Sequence, residues 1–405
     1  MTARPPLAAD HPGRNVPAGS PEVPGAPDDA PVAPVAGLGG AGLATPCLIL
    51  HEELVGAAVE GFRKAFPSVG IHYAVKCNPD PELLRYLREL GCDFEIASHP
   101  ELELLTSVGV DPAEVLYSNP VRPRDHISRC HEAGVWRYSV DSPREMAKLS
   151  QAAPGAHVYA RLGTDLAASV VPSEGKFGVS KEEVVRLLTE AERSGLHPHG
   201  IAFHVGSQMT DPHAWDAPIR DAAEIMERLA EKGIRIAMLD IGGGFPARYD
   251  KPVPGIREFG RHITGLLDAL PYPVRVVAEP GRALVAEAGV MVCRVIQVVR
   301  RGGTWWAHTD LGVFNGMMEV LETAGALAYP ISGERETGPA RRYNVTGPTC
   351  DSQDTFALGV ELPADLAEGD LLFVRSAGAY TTAYSSQFNG FLPPRTVLRR
   401  ARDLA

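Results

Sequence analysis

The feature that most limits the fold of this chain is an alternation repeated eight times. A short β-rich run is followed by a stretch of helical period, and the pair recurs. The runs are Ile71–Lys76, Phe94–Ser98, Val115–Ser118, Arg137–Asp141, His157–Leu162, His199–Gly206, Ile236–Gly243 and Val274–Pro280. Pro81–Leu90, Lys181–Ser194, Trp215–Lys232 and Ile256–Leu270 are among the helical candidates between them. Eight strands joined by helical crossovers meet the requirement for a closed parallel barrel. An open doubly wound sheet usually has fewer strands and a Gly-rich turn after the first. Here the turn Gly242-Gly243-Gly244 follows the seventh run, where barrels commonly hold a phosphate. The expected fold is a (β/α)8 barrel over residues 52–289.

After about residue 290 the period changes. Val290–Val299, Trp305–Thr309, Arg342–Val345 and Leu371–Arg375 are β-rich, with Gly- and Pro-containing connections, and Pro46–His51 can join them. Residues 41–51 and 290–405 are therefore expected to form a second, mostly β domain, and the Pro-, Ala- and Gly-rich residues 1–40 an unstructured tail. Nothing in that tail resembles a signal-peptide core, and no run is long enough to span a bilayer. With 39 basic against 50 acidic residues, the formal charge of −11 argues against a nucleic-acid or anionic-membrane partner. Cys47, Cys77, Cys92, Cys130, Cys293 and Cys350 are scattered without a CxxC pair, so neither a disulfide framework nor a metal site is expected. A reducing cytoplasm is the simplest compartment.

Barrel enzymes carry their chemistry at the carboxyl ends of the strands. Those ends present Lys76, Glu95 with Ser98, Asn119, Arg161, His204 with Ser207, Gly242–Gly244, and Glu279 with Arg282. Taken singly, each has an ordinary explanation: a solvated lysine, a core histidine, a tight turn, a surface ion pair. Their coincidence at separate strand ends suits a phosphorylated aromatic cofactor. A lysine can form a Schiff base with an aldehyde. A carboxylate can keep a pyridine nitrogen protonated, and glycine amides with a hydroxyl can hold a phosphate.

These residues lie in motifs that resemble the fold-type III pyridoxal-phosphate (PLP) dependent decarboxylases, the ornithine, lysine, arginine and diaminopimelate group. The motifs are Tyr73-Ala-Val-Lys76-Cys-Asn78, Phe203-His-Val-Gly-Ser-Gln208, Asp240-Ile-Gly-Gly-Gly-Phe245, Glu279-Pro-Gly-Arg282, Gly347-Pro-Thr-Cys-Asp-Ser352 and Gly378-Ala-Tyr380. They follow the family's order from about residue 45 to 395. The resemblance implies that Lys76 is the Schiff-base lysine, that Glu279 pairs with the pyridinium nitrogen, and that His204 stacks on the ring. It places Ser207, Gly243, Gly244, Arg282 and Tyr380 at the phosphate, and Glu95 and Arg161 near the cofactor. Cys350 would protonate the carbanion left by CO2, and Asp351 would meet the distal end of the substrate. The family presents the Cys350 segment from a partner subunit, so a homodimer with shared sites is implied.

Cys350-Asp351-Ser352 matches the branch that forms diamines, which points to ornithine or lysine and to polyamine biosynthesis in the cytoplasm. A second acid contacting the distal amine is expected in Asp310–Pro330, as Glu319 or Glu322. The longer spacing to Tyr329-Pro330 leaves a modified diamino acid of a specialised pathway, or diaminopimelate, as alternatives. Two other classes stay open: an amino-acid racemase using Cys350 and Lys76 on opposite faces, and a non-catalytic homologue, which intact Lys76 and Cys350 argue against.

Overall fold

The computed structural model describes residues 33–35, 38, 43–164, 169, 175–335 and 338–400. Strand β1 (Cys47–His51) enters first. Eight strands then close into one parallel barrel: β2 (Val69–Ala74), β3 (Asp93–Ile96), β4 (Leu116–Tyr117), β5 (Arg137–Val140), β6 (His157–Arg161), β7 (His197–Ala202), β8 (Met238–Asp240) and β9 (Arg275–Ala278). Pairing of Val69 with Val276 and Ile71 with Ala278 joins the last strand to the first.

Sequence signals explain where the barrel helices begin. Asp80 precedes Pro81 and accepts from the amides of Glu82 and Leu83. Ser98, Ser142 and Ser180 likewise cap His99–Ser107, Pro143–Ala152 and Lys181–Ala191. A side-chain acceptor at the cap, often with proline in the first turn, satisfies amides that have no helical partner. The helices bury one face against the strands: Ile219, Ala222, Ile225, Met226 and Leu229 do so in Asp216–Ala230. Inside the barrel, Leu116, Tyr159, Ala202, Met238 and Val277 form a packed layer, so the interior is a floor for the site rather than a pore.

The second sheet comprises β10 (Gly289–Arg301), β11 (Thr304–Thr309), β12 (Ile331–Gly333), β13 (Ala340–Thr346), β14 (Thr355–Pro363), β15 (Leu371–Arg375) and β16 (Arg395–Arg399), with β1. Their order is β12-β15-β10-β11-β13-β14, and β1 sits between β10 and β16. The expected (β/α)8 barrel with a mostly β companion is thus the fold.

Three local expectations need correction. The barrel strands end before the β-rich runs do, because the carboxyl-terminal residues of each run leave the sheet to build the site. Lys76 accordingly lies in a 3-10 turn, Val75–Cys77, just past β2. The tail assigned to residues 1–40 lies mostly outside the described residues, but Ala33 and Leu38 are buried against Cys47, Ile49, Val290, Val292, Leu371 and Phe373. These apolar positions cover a sheet face that water would otherwise reach.

Candidate active site

Lys76 stands at the mouth of the barrel. Its side chain keeps 44% exposure, and its Nζ lies 2.6 Å from Oε2 of Glu95, which is 2% exposed. Burial works against the ammonium, but the charges of Glu95 and Glu279 prevail and hold Lys76 above its ordinary range. Burial raises Glu95, and Lys76 opposes that rise.

Glu279 follows β9 and is supported from below. The Ser118 hydroxyl donates to its Oε1, and Ser118 is in turn 2.8 Å from the Tyr159 hydroxyl. Asp240, at the end of β8, is buried against Glu279; desolvation and that neighbouring charge push its carboxyl far above the ordinary range. Ser118, at the end of a β-rich run, gives Glu279 its support; Asn119, the strand-end group expected from the sequence, donates to the Ala97 carbonyl. Tyr159 lies inside a strand, and no motif marks it.

His204 follows β7. Burial, with Arg161 and Lys76 nearby, lowers it to about 3, so its imidazole is neutral at physiological pH. Arg161 ends β6, with its guanidinium carbon 5.1 Å from the centre of the Phe177 ring. Cys77, beside Lys76, is fully buried in the core, as expected of packing.

The Gly-rich turn is tight because nothing else fits. A Cβ on Gly243 would stand 2.4 Å from the Glu279 carbonyl oxygen, and one on Gly244, whose φ is +98°, 2.2 Å from that of Gly206. Arg282 opens the short helix Arg282–Val285 and is 3% exposed. Its Nη1 donates to the Tyr249 hydroxyl at 2.6 Å and to Glu319 Oε2 at 3.0 Å. Its Nη2 donates to Ser207 Oγ at 3.1 Å and to Glu319 Oε1. The Tyr380 ring centre is 4.8 Å from the guanidinium carbon, and Tyr380 itself takes a left-handed φ of +53°.

The two acids expected at the distal end of the substrate part company here. Glu319 is 2% exposed, and its carboxylate accepts from Arg282 and from Tyr329 at 3.0 Å. The substrate role assigned to Glu319 is therefore corrected: its carboxylate is 2% exposed and accepts three hydrogen bonds from a buried guanidinium and a phenol, so it is not open to a substrate ammonium. Glu322, one turn further, is exposed. Tyr249 and Tyr329 were missed, since single tyrosines carry no spacing signal.

Cys350 and Asp351 lie apart from this group, exposed on the loop between β13 and β14. Among the described residues, the Cys350 thiol is hydrogen-bonded by Asn389 Nδ2 at 3.4 Å rather than by a member of the Lys76 group. No metal site was expected. Among the described residues, His213, Asp216 and His262 do converge on the outer helices, where Asp216 already pairs with both imidazoles at 3.3 and 2.5 Å.

The arrangement can be tested for a phosphorylated aromatic aldehyde. Arg282 Nε is buried without a partner, and among the described residues no acceptor is paired with the Gly243 and Gly244 amides. Gly243 packs on the Glu279 backbone, and Lys76 lies within reach of the Glu279 charge, so the glycine turn, the acid and the lysine share one end of the barrel. The residues fit PLP. Fold and site together define a barrel enzyme of the PLP-dependent class.

Residues 52–286 match the family described as pyridoxal-dependent decarboxylase, pyridoxal binding domain. The chain belongs to that family, and its cofactor is PLP. It is 31% identical to the lysine/ornithine decarboxylase of Selenomonas ruminantium, over 87% of this chain and 89% of that protein. It is 35% identical to antizyme inhibitor 2 of Xenopus laevis, over 82% and 75% respectively. A lysine/ornithine decarboxylase from Vibrio vulnificus, solved with putrescine, superposes with a TM-score of 0.81 at 31% identity, covering 88% of this chain and 95% of that one.

Proposed function

We propose that the protein decarboxylates an L-amino acid with a second, distal amino group, of the ornithine or lysine class, giving a diamine and CO2. The observation that carries this reading is the Lys76–Glu95 pair beside Glu279 on one barrel rim, together with Cys350-Asp351 on an exposed loop. The names of the Selenomonas and Vibrio relatives support the substrate class.

When bound, PLP supplies a protonated ring that takes up the electron pair left on the α-carbon as CO2 departs. Lys76 is the amine that would hold its aldehyde. Glu279, held in position by Ser118, would keep the ring nitrogen protonated. Neutral His204 offers a flat face without adding charge. The Gly243 and Gly244 amides, Ser207 and Tyr380 would hold the phosphate, with Arg161 near the cofactor. The Cys350 thiol delivers a proton to the α-carbon. Asp351 gives the distal ammonium its counter-charge, and the exposed Glu322 adds a second.

Cys350 reaches a barrel mouth from a partner chain in this reading, and the working unit is a homodimer. What supports it is the exposure of the Cys350 loop beside a surface carrying Tyr384, Phe388 and Leu392, which are 40%, 42% and 66% exposed. Apolar groups gathered on one face mark an interface.

The test is product analysis with purified protein across L-ornithine, L-lysine, L-arginine, meso-diaminopimelate and their D forms. CO2 with a matching diamine is expected. An inverted amino acid without CO2 would make the protein a racemase. A chain that takes up PLP but turns over none of them would refute the decarboxylase reading.

A further inference from the structure

We infer that Glu319 is a positioning residue for the cofactor's phosphate, acting through Arg282 and Ser207. This rests on the PLP-binding reading above. The argument is a count of donors. A guanidinium has five N–H groups in a rigid plane, four on Nη1 and Nη2 and one on Nε. In Arg282 the four Nη donors have acceptors within the protein: Tyr249, Ser207 and the two oxygens of Glu319. Only Nε is left, and it is buried without a partner.

Arg282 therefore does not present its two-pronged tip to a phosphate. Glu319 occupies that tip, and a bidentate pair between groups 3% and 2% exposed fixes the plane of the guanidinium. Two consequences reach the phosphate end of the barrel. The remaining Nε donor is held in one direction. The Ser207 oxygen also accepts a hydrogen bond from Nη2, which commits a lone pair and leaves the hydroxyl proton free to donate to an anion. Without Glu319, the Nη donors would turn toward other acceptors and Ser207 would lose the bond that orients it.

The source of Glu319 gives the pairing a wider meaning. It lies on the short helix Met318–Glu322, which follows β11 of the second sheet, whereas Arg282 and Ser207 belong to the barrel. Tyr329, which donates to Glu319, comes from the same segment, and Tyr249 from the loop after β8. The grip on the phosphate is thus set by docking the second domain on the first. This also accounts for an acid that is fully buried although Leu321 and Glu322, on the same short helix, are exposed.

The test separates the phosphate from the rest of the cofactor. The full-length protein, freed of cofactor, is titrated with PLP and with pyridoxal, which lacks the phosphate, and PLP binding is challenged with inorganic phosphate. Wild type should prefer PLP strongly. Glu319→Gln keeps the shape but removes the charge and one acceptor; PLP affinity should fall by about tenfold or more, in the range for groups that orient a ligand's direct contacts, with pyridoxal changed less than about twofold. Inorganic phosphate should also compete less well in the variant. Equal losses for PLP and pyridoxal, or no loss for either, would overturn the inference. If Glu319→Gln does not fold, Tyr329→Phe removes one donor to Glu319 and should lower PLP affinity selectively; unchanged selectivity there overturns the inference too. A wild-type protein with no preference for PLP over pyridoxal would instead refute the phosphate-site reading itself.

Discussion

Mixing two inactive variants tests the shared active site most directly. Lys76, Glu95 and Glu279 gather at one barrel mouth, while the Cys350 thiol is exposed on the β13–β14 loop and held by Asn389. If a partner supplies Cys350, Lys76→Ala and Cys350→Ala homodimers each have two defective sites. In a heterodimer, one site combines the intact barrel with the intact Cys350 loop, and the other collects both defects. Random association of equal amounts of the two chains makes about half of all dimers heterodimers, each with one working site of two. The expected recovery is about a quarter of the wild-type rate. Carbon dioxide release is measured after subunit exchange, with different affinity tags on the two chains to prove that heterodimers form. A mixture of Lys76→Ala and Glu279→Ala is the control, since both defects lie on the barrel and no combination restores a site. A proven heterodimer without activity above that control would show that each chain completes its own site.

Asp351→Ala should reduce kcat/KM for diamino acids by an amount corresponding to about 2–5 kcal/mol while PLP content is unchanged; a fall of less than roughly twofold would remove Asp351 from the distal contact. Glu319→Ala should cost about 3–5 kcal/mol of stability, because it leaves the Arg282 charge buried and unpaired; an unshifted urea midpoint would contradict that. His72 is fully buried and lowered from 6.5 to about 3, by burial first and then by Arg137 and Arg275. Below the unfolded value of 6.5 only the unfolded chain takes up this proton, so stability should fall as pH drops, by about 2 kcal/mol at pH 5 from this group. His72→Asn should flatten that slope, as read from urea midpoints between about pH 5 and 7.

The sequence alone was enough for the barrel, because a strand–helix period repeated eight times leaves few ways to bury every apolar face. It also marked Lys76, the glycine turn, Glu279 and Arg282, since a strand end is a local feature and Gly243 and Gly244 are required by contacts that admit no Cβ. The ends of the strands were less legible. A β-rich run does not tell where the chain leaves the sheet, so Lys76 was read as a strand residue when it lies in a 3-10 turn. Only the tertiary structure decided what the buried charges do. Glu319 and Glu322 are three residues apart and chemically alike, yet one is enclosed against Arg282 and the other stands in solvent. Ser118, Asp240 and Glu279 come from three different strand ends, yet Ser118 donates to Glu279 and the Glu279 charge pushes the buried Asp240 carboxyl up. Periodicity reports which face of an element is apolar; which acid meets which base depends on how distant elements dock, because burial makes an unpaired charge costly and leaves only paired arrangements stable.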